Sequence, residues 1–163
     1  MITRNIEAYL AGADLAGSAR LGDGLTGRVK MTFSRGVNMT DNIALYQVPP
    51  LMGEAILSQH LAPIDDIDWT MSAATRFAGT QSFVDSSSAT GSGLDNGGKT
   101  GGWVVFDLLS TWNVANRLLL NCGVTNLLDK RYRNHINPLP QGAIAFPMEA
   151  PGRSGFVSTT IAF

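Results

Sequence analysis

The side chains that could bind a metal or an anion are few and gather late in the sequence. His135 follows the charged run Asp129-Lys130-Arg131-Tyr132-Arg133, in a predicted loop that also holds Met148. Imidazole and thioether groups bind soft or borderline metals, and a basic run attracts anionic complexes. His135, Arg133 and Met148 are therefore the candidate residues for binding a metal chelate.

Each of these residues also has a structural interpretation. One histidine with a distant methionine makes a poor metal site, so the sequence favours a solvated loop residue over a ligand for His135. Asp129 can pair with a basic neighbour, and Tyr132 can anchor at an interface. The other histidine, His60, stands near a predicted turn, where a structural role fits better.

Six methionines raise the question of copper. Met31 and Met71 fall on the apolar side of predicted strands, which removes them as ligands. Met39 and Met148 fall in predicted long loops, and two such residues do not single out copper. Cys122 is the only cysteine, which excludes an internal disulfide, and it has no metal-binding neighbour.

The sequence contains no constellation that indicates catalysis. It has no nucleophile–base pair and no paired carboxylate site, and the glycines of residues 91–98 lack the strand–turn–helix context of a phosphate loop. A net charge of −1 also argues against the basic patch that nucleic-acid binding needs. We therefore expect no enzyme, no cofactor, no resident metal and no nucleic-acid partner.

The elements that must position these residues are predicted to be β-strands bounded by Gly, Pro, Asn and Asp. About seven are predicted, at residues 4–19, 25–34, 51–61, 68–81, 103–112, 117–126 and 151–163. Most alternate apolar and polar residues, and Val29, Phe106, Leu120 and Ile161 illustrate the apolar side. The facing of the first strand is ambiguous, and the third alternates poorly.

Loop length alternates along the chain. Short turns near residues 22, 65 and 115 are separated by long polar segments at 36–48, 85–102 and 127–150. Outer-membrane barrels sort their loops in this way, with short turns inside and long loops outside, whereas sandwiches have no reason to do so. Charged residues are 15% of the chain, against roughly 25% in soluble proteins, and no apolar run is long enough for a transmembrane helix.

Two motifs at the end of the chain carry a family resemblance. Asn126-Leu127-Leu128-Asp129-Lys130-Arg131-Tyr132 resembles the N-L-F-D-K-x-Y stretch of TonB-dependent outer-membrane receptors, with Leu128 in place of the usual phenylalanine. Pro151-Gly152-Arg153 resembles the P-G-R that precedes their last strand. Residues 36–41 with Pro49-Pro50 are similar to a loop and strand start in the same family. The resemblance covers the whole chain, but only the C-terminal third of such a receptor.

The resemblance implies an all-β fold: an antiparallel, up-and-down transmembrane β-barrel segment of about seven strands, within a plugged 22-stranded barrel. Residues 1–163 would form the C-terminal part of the barrel, without the plug domain. Residues 1–7 lack the apolar region of a signal peptide, so we expect the chain to be part of a longer protein. Arg76 and Asp107 would face the interior.

The resemblance also implies a function and partners. The function would be transport of a metal chelate (ferric siderophore, haem, copper or cobalamin) across the bacterial outer membrane. The partners would be outer-membrane lipid, the remaining strands and plug, the TonB complex through the missing N-terminal part, and the barrel-assembly machinery. Val157, Thr159, Ile161 and Phe163 look like the signal that this machinery recognises, and Phe163 would join Trp112 in an aromatic girdle.

Two other functions stay open from the sequence. One is a small passive porin or adhesin barrel, and the other is a soluble β-sandwich binding module. The barrel hypotheses require hydrocarbon to cover the side that carries Val29, Phe106, Leu120 and Ile161. A facing second sheet, or helices over that side, would indicate a packed soluble protein instead.

Overall fold

A computed structural model of the chain describes residues 5–85, 98–137 and 148–162. No helix in that part of the chain is long and apolar enough to span a membrane. The strands are β1 (Ala8–Gly22), β2 (Leu25–Asn38), β3 (Ile43–Ala44), β4 (Met52–Ile64), β5 (Ile67–Ala78), β6 (Trp103–Val114), β7 (Leu118–Thr125) and β8 (Ser154–Ile161).

All of these strands belong to one antiparallel sheet. The order is β1-β2-β4-β5-β6-β7-β8, and the two-residue β3 pairs with the end of β2. This up-and-down order confirms the predicted all-β fold class. The alternative of a soluble β-sandwich is wrong, because the described residues form a single sheet with no second sheet facing it.

The seven predicted strands all occur, but several ends differ. β2 continues to Asn38 rather than stopping at residue 34, because it pairs with β1 as far as Ala8↔Asn38. Its pairing with β4 ends earlier, at Thr32↔Met52. The end of β2 therefore stays a strand because its main chain is still hydrogen-bonded to β1, even though its side chains no longer alternate clearly. β3 lies in a segment that was predicted to be a loop.

Tight turns join the strands at one end of the sheet. They lie at residues 23–24, 65–66 and 115–117. Gly24 has a φ of 71° and Asp65 a φ of 53°, in the left-handed region that glycine and aspartate enter at low cost. The connections at the opposite end are long, so the predicted alternation of loop lengths is confirmed.

The strand register sorts the side chains into two faces. Val29 pairs with Ala55, Ala55 with Thr75, and Thr75 with Phe106, so these residues share one face. This apolar face carries Leu15, Val29, Met31, Phe33, Leu57, Met71, Phe77, Val104, Phe106, Leu108, Leu120, Val124, Val157 and Ile161. The polar face carries Asp14, Arg28, Lys30, Glu54, Ser58, Ser72, Arg76, Asp107, Thr111, Asn121 and Ser158.

Register also decides the facing of β1, which the sequence left ambiguous. Leu15 lies opposite Met31, so it belongs to the apolar face, and Asp14 lies opposite Thr32 on the polar face. The Thr32 hydroxyl donates a hydrogen bond to Asp14 Oδ1 at 2.7 Å. The two faces therefore extend across every long strand of the sheet.

The apolar face is uncovered by the described residues. In β6, Val104, Phe106 and Leu108 are 47%, 42% and 44% exposed, whereas Val105 and Asp107 between them are 1% and 5% exposed. Contiguous apolar surface on this scale marks contact with a protein partner or a membrane rather than with water. Buried side chains lie instead on the polar face near the long loops, where Ala78, Trp103 and Val105 form a small core.

Two tryptophans stack near the short turns on the apolar face. The ring centroids of Trp69 and Trp112 are 4.5 Å apart, and both indole N–H groups donate to Ser110 Oγ, at 2.7 and 2.8 Å. Trp112 thus lies where a girdle residue was predicted. Phe163, its predicted companion, lies outside the described residues.

Candidate functional site

The polar face meets the segment after β7 at a buried carboxylate. Arg76 donates twice to Asp107, from Nε to Oδ2 at 2.7 Å and from Nη2 to Oδ1 at 3.1 Å. Asp107 Oδ1 also accepts the backbone N–H of Asn126 at 2.7 Å. These donors compensate the desolvation of a carboxylate that is costly to bury alone. Arg76 and Asp107 both lie on the polar face, as expected.

Asn126 organises the turn that follows β7. It is 2% exposed, and its φ of 50° lies in the left-handed region that asparagine tolerates. Its Oδ1 accepts the N–H of Lys130 at 2.8 Å, and its Nδ2 donates to the carbonyls of Lys130 (2.9 Å) and Pro151 (3.3 Å). The adjacent Leu127 N–H donates to the Phe106 carbonyl at 2.7 Å. Asn126 therefore joins the two sequence motifs directly.

Further contacts complete this junction. Asp129 Oδ1 accepts the N–H of Arg153 at 2.8 Å, and the Tyr132 carbonyl accepts the N–H of Ala150 at 2.8 Å. Gly152 packs so closely that a Cβ there would lie 2.7 Å from Asp129 Oδ1. We call this unit the motif clamp; it consists of Asn126, Asp129, Tyr132, Pro151, Gly152 and Arg153. It directs the chain into β8 and stabilises the turn.

The clamp is anchored on the polar face by an aromatic contact. The Tyr132 ring lies 4.3 Å from the ring of Trp103, centroid to centroid. Trp103 belongs to the small core, and Met52 and Tyr132 pack against that core. The segment after β7 therefore covers the long-loop end of the polar face.

Two of the predicted ligand residues meet at Thr100. His135 Nδ1 lies 2.8 Å from Thr100 Oγ1, and Arg133 Nη2 donates to the same oxygen at 3.0 Å. His135 is 3% exposed, so the alternative of a solvated loop histidine is wrong. Thr100 was not predicted as a site residue, since it lies in a Ser- and Gly-rich segment where nothing distinguishes one hydroxyl from another.

Gln81 extends this cluster to a third loop. Gln81 and Thr100 exchange backbone N–H···O hydrogen bonds at 2.9 and 3.0 Å, and Gln81 Nε2 donates to the Val48 carbonyl at 2.8 Å. The segments after β2, β5 and β7 are therefore tied together. We call this set, Val48, Gln81, Thr100, Arg133 and His135, the loop network.

The third predicted ligand residue is placed differently. Met148 is 54% exposed, and Lys130 and Arg131 of the basic run are also exposed. In the described part of the chain, no group of three or more His, Cys, Asp or Glu residues could hold a metal ion. The segments at the long-loop end thus carry exposed cations and an exposed thioether in addition to the loop network.

The other histidine lies at the opposite end of the sheet, and the predicted assembly signal lies on its edge strand. His60 Nδ1 is 3.3 Å from Thr70 Oγ1 near the short turns, far from the loop network along β4. Val157 and Ile161 of the predicted assembly signal are 73% and 57% exposed on β8, with Thr159 between them. Phe163 lies outside the described residues, and the signal stays a prediction.

No family model and no curated protein matches this sequence. Solved structures do match it. The copper transporter OprC superimposes with a TM-score of 0.84 and 24% identity, over 98% of this chain and 24% of its own length. The ferric yersiniabactin uptake receptor FyuA from Yersinia pestis gives a TM-score of 0.71 and 20% identity, over 96% of this chain and 24% of its own.

Both of these proteins are TonB-dependent receptors. The fold of this chain is that of a TonB-dependent receptor barrel. The chain spans 24% of the length of either receptor. The predicted resemblance is thereby confirmed for the fold, and within such barrels the lipid-facing side is apolar while the interior is polar.

Proposed function

We propose that this chain is part of the barrel wall of a TonB-dependent receptor in a bacterial outer membrane. The apolar face meets lipid, and the polar face lines the interior of a 22-stranded barrel. The observation that carries this proposal is the contrast within β6. Its outward side chains are nearly half exposed while Val105 and Asp107 between them are buried, so lipid rather than protein is the natural neighbour of that side.

The strand lengths support the same conclusion. β2 has 14 residues, and β5 and β6 have 12 each. A tilted strand needs about 9–11 residues to cross a bilayer. Each of these strands is long enough, and the Trp69–Trp112 pair marks one boundary of the apolar band.

We propose further that the complete protein imports a metal chelate. OprC is named a copper transporter and FyuA a ferric yersiniabactin uptake receptor, so a metal-bearing cargo is the common feature of the two. A ferric siderophore, haem, copper complex or cobalamin would fit. The cargo is transported and is not a cofactor of this chain, and no enzymatic step is required.

The cargo is proposed to approach from the long-loop end. Met148 and the basic run supply exposed contacts there, and Arg133 is held by Thr100 beside His135. Because His135 is buried, its proposed role is to fix the loop that presents Arg133. Arg133 and Met148 are the proposed contacts with an anionic chelate.

The proposed partners follow from the surfaces of the sheet. Within the described sheet, β1 and β8 each pair with one neighbour, which leaves their outer edges for the remaining strands. The polar face would contact the plug, and the TonB complex would act through the N-terminal part of the complete receptor. The barrel-assembly machinery would recognise the end of β8, which carries Val157, Thr159 and Ile161.

Transport assays on the complete reading frame that contains this segment test the proposal. It is expressed in a Gram-negative strain that lacks its own receptors, and uptake of radiolabelled copper, ferric siderophore, haem and cobalamin is measured with and without TonB. We expect saturable uptake of one cargo that disappears without TonB. Uptake that rises linearly and ignores TonB would indicate a passive porin instead.

A further inference from the structure

One cation lies on the apolar face, which is otherwise uncharged in the described strands. Arg35 pairs with Ala11 in the β1–β2 ladder, and Phe33 pairs with Ala13 two residues away, so Arg35 and Phe33 point to the same side. This is the side that carries Val29 and Met31. Arg35 is exposed, and a permanently charged guanidinium on a face assigned to hydrocarbon is costly unless it reaches a polar partner.

The described surroundings of Arg35 are aromatic rather than anionic. Its Cζ lies 4.5 Å from the centroid of the Phe83 ring, and none of the described carboxylates forms an ion pair with it. Phe33 and Phe83 are 49% and 37% exposed. The Phe83 ring lies over the guanidinium and shields that side of it, and no described residue balances its charge with an ion pair.

A small cavity opens beside this group. It measures about 170 Å³, and its lining includes Phe33, Ser34, Arg35, Thr80 and Phe83. Ser34, between Phe33 and Arg35 on the strand, points to the other face, where its hydroxyl donates to the Pro49 carbonyl at 3.5 Å. Thr80 lines the cavity, and its Oγ1 accepts the Gly102 N–H at 3.3 Å. A cation beside exposed aromatic rings and a small cavity forms a suitable setting for a phosphate group attached to an apolar molecule.

The depth of Arg35 in the membrane, judged from its position along β2, agrees with a phosphate-bearing lipid as the ligand. β2 begins at Leu25 beside a short turn, and Arg35 lies about ten residues further, or about 33 Å along the strand at about 3.3 Å per residue. With a tilt of about 45°, this corresponds to about 23 Å across the membrane. The apolar band of such barrels is about 25 Å tall, so Arg35 reaches the boundary where lipid phosphates lie.

We propose that Arg35, framed by Phe33 and Phe83, binds the phosphate of an anionic membrane lipid on the long-loop side of the barrel. The proposal rests on the proposed membrane location of the apolar face, but not on the identity of the transported cargo. The guanidinium donates hydrogen bonds to the phosphate, and the exposed rings contact the upper part of the acyl chains.

Native mass spectrometry of the membrane-inserted protein, released in a neutral detergent, tests this site. Phosphatidylglycerol is titrated against wild type, Arg35→Gln, Arg35→Lys and Phe83→Ala. Arg28→Gln is the matched control, because Arg28 lies on the same strand and faces the other side. We expect Arg35→Gln to weaken phosphatidylglycerol binding about tenfold or more, Arg35→Lys and Phe83→Ala less, and Arg28→Gln not at all.

Two further ligands show whether binding depends on the phosphate, on the acyl chains or on both. Diacylglycerol has the same chains without phosphate, and inorganic phosphate has no chains; both should bind much more weakly than phosphatidylglycerol. Equal binding by either one, or unchanged phosphatidylglycerol binding by Arg35→Gln, overturns the lipid site. TonB-dependent uptake without Arg35-dependent lipid binding would overturn only the lipid site. Arg35-dependent lipid binding without such uptake would overturn only the proposed transport function.

Discussion

Asp129 Oδ1 accepts a hydrogen bond from the backbone N–H of Arg153 at 2.8 Å, although the two residues are 24 positions apart. The contact joins the motif after β7 to the motif before β8. Together with the Asn126–Pro151 contact, it explains why both motifs occur in one chain. Side chains of the first motif bind backbone groups of the second that would otherwise lack a hydrogen-bond partner.

The Asp129 contact predicts non-additive mutations. Asp129→Ala removes the acceptor for Arg153, and Gly152→Ala places a methyl 2.7 Å from Asp129 Oδ1. Each should lower the free energy of unfolding by about 0.5–1.5 kcal/mol. The double variant should lose less than the sum, because the clash disappears with the carboxylate. Urea unfolding of the vesicle-inserted protein measures this, and strict additivity would contradict the proposed contact.

Asp107 should be coupled energetically to Arg76. Asp107→Ala leaves Arg76 and the Asn126 N–H without their acceptor, so we expect a loss of about 1.5–3 kcal/mol in the free energy of unfolding. Arg76→Met with Asp107→Ala should show a coupling energy of about 1–3 kcal/mol in a double-mutant cycle. Arg28→Met is the control cation on the same face, and it should show no coupling to Asp107.

Adjacent leucines distinguish the two faces of β6. Leu108 is 44% exposed on the apolar face, whereas Leu109 pairs with Gly123 on the polar face. Leu108→Arg should destabilise the inserted protein by about 2–4 kcal/mol, as expected for a cation facing lipid. Leu109→Arg should cost about 1 kcal/mol or less, because the long side chain can reach the watery interior. Folding yields and urea unfolding in vesicles compare the two, and equal losses would argue against a lipid-facing Leu108.

Glycines on one face should differ in their tolerance of a methyl group. A Cβ on Gly53 would lie 2.6 Å from Phe77 Cζ and 3.0 Å from the Lys30 carbonyl oxygen, whereas nothing lies within 4 Å of a Cβ on Gly17. Gly53→Ala should therefore destabilise by about 1–3 kcal/mol. Gly17→Ala should be neutral or stabilise by up to about 1 kcal/mol, because alanine loses less backbone entropy on folding. Thermal unfolding of the two variants checks the difference.

Tryptophan fluorescence can report which face meets lipid. Trp112 lies on the apolar face, and Trp103 is 7% exposed on the polar face. In single-tryptophan variants with phenylalanine at the other two positions, brominated lipids should quench Trp112 strongly and Trp103 weakly. Equal quenching, or protection of Trp112 together with Trp103, would contradict the proposed orientation.

The sequence located most strands because their side chains alternate, but it left two of them uncertain. β4 alternates poorly since Ile56 lies on the polar face and Gln59 on the apolar face. The Gln59 amide donates to the carbonyls of Asp23 (3.1 Å) and His60 (2.8 Å) beside the β1–β2 turn. That contact depends on two hairpins meeting, and a pattern within one strand contains no information about it.

The candidate site was predictable only in part for a similar reason. Arg133 and His135 were recognised from residue type, but their common partner, Thr100, comes from a distant loop. Burial of His135 likewise results from loops folding over the polar face. Residue chemistry is a local property, whereas burial and shared partners depend on which segments meet in space.

By itself, the amino-acid sequence determined the strand pattern, the apolar side of most strands, the alternation of short and long loops, and the two motifs of the clamp. These properties follow from periods of two residues and from turn chemistry, which act within a few positions of the chain. Only the tertiary structure decided that the two motifs are one unit, that β1 turns Leu15 toward the apolar side, and that Arg35 lies there without an ion pair among the described residues. Those outcomes require the pairing of separate strands and loops, and the register of that pairing is fixed by contacts between residues far apart in the chain.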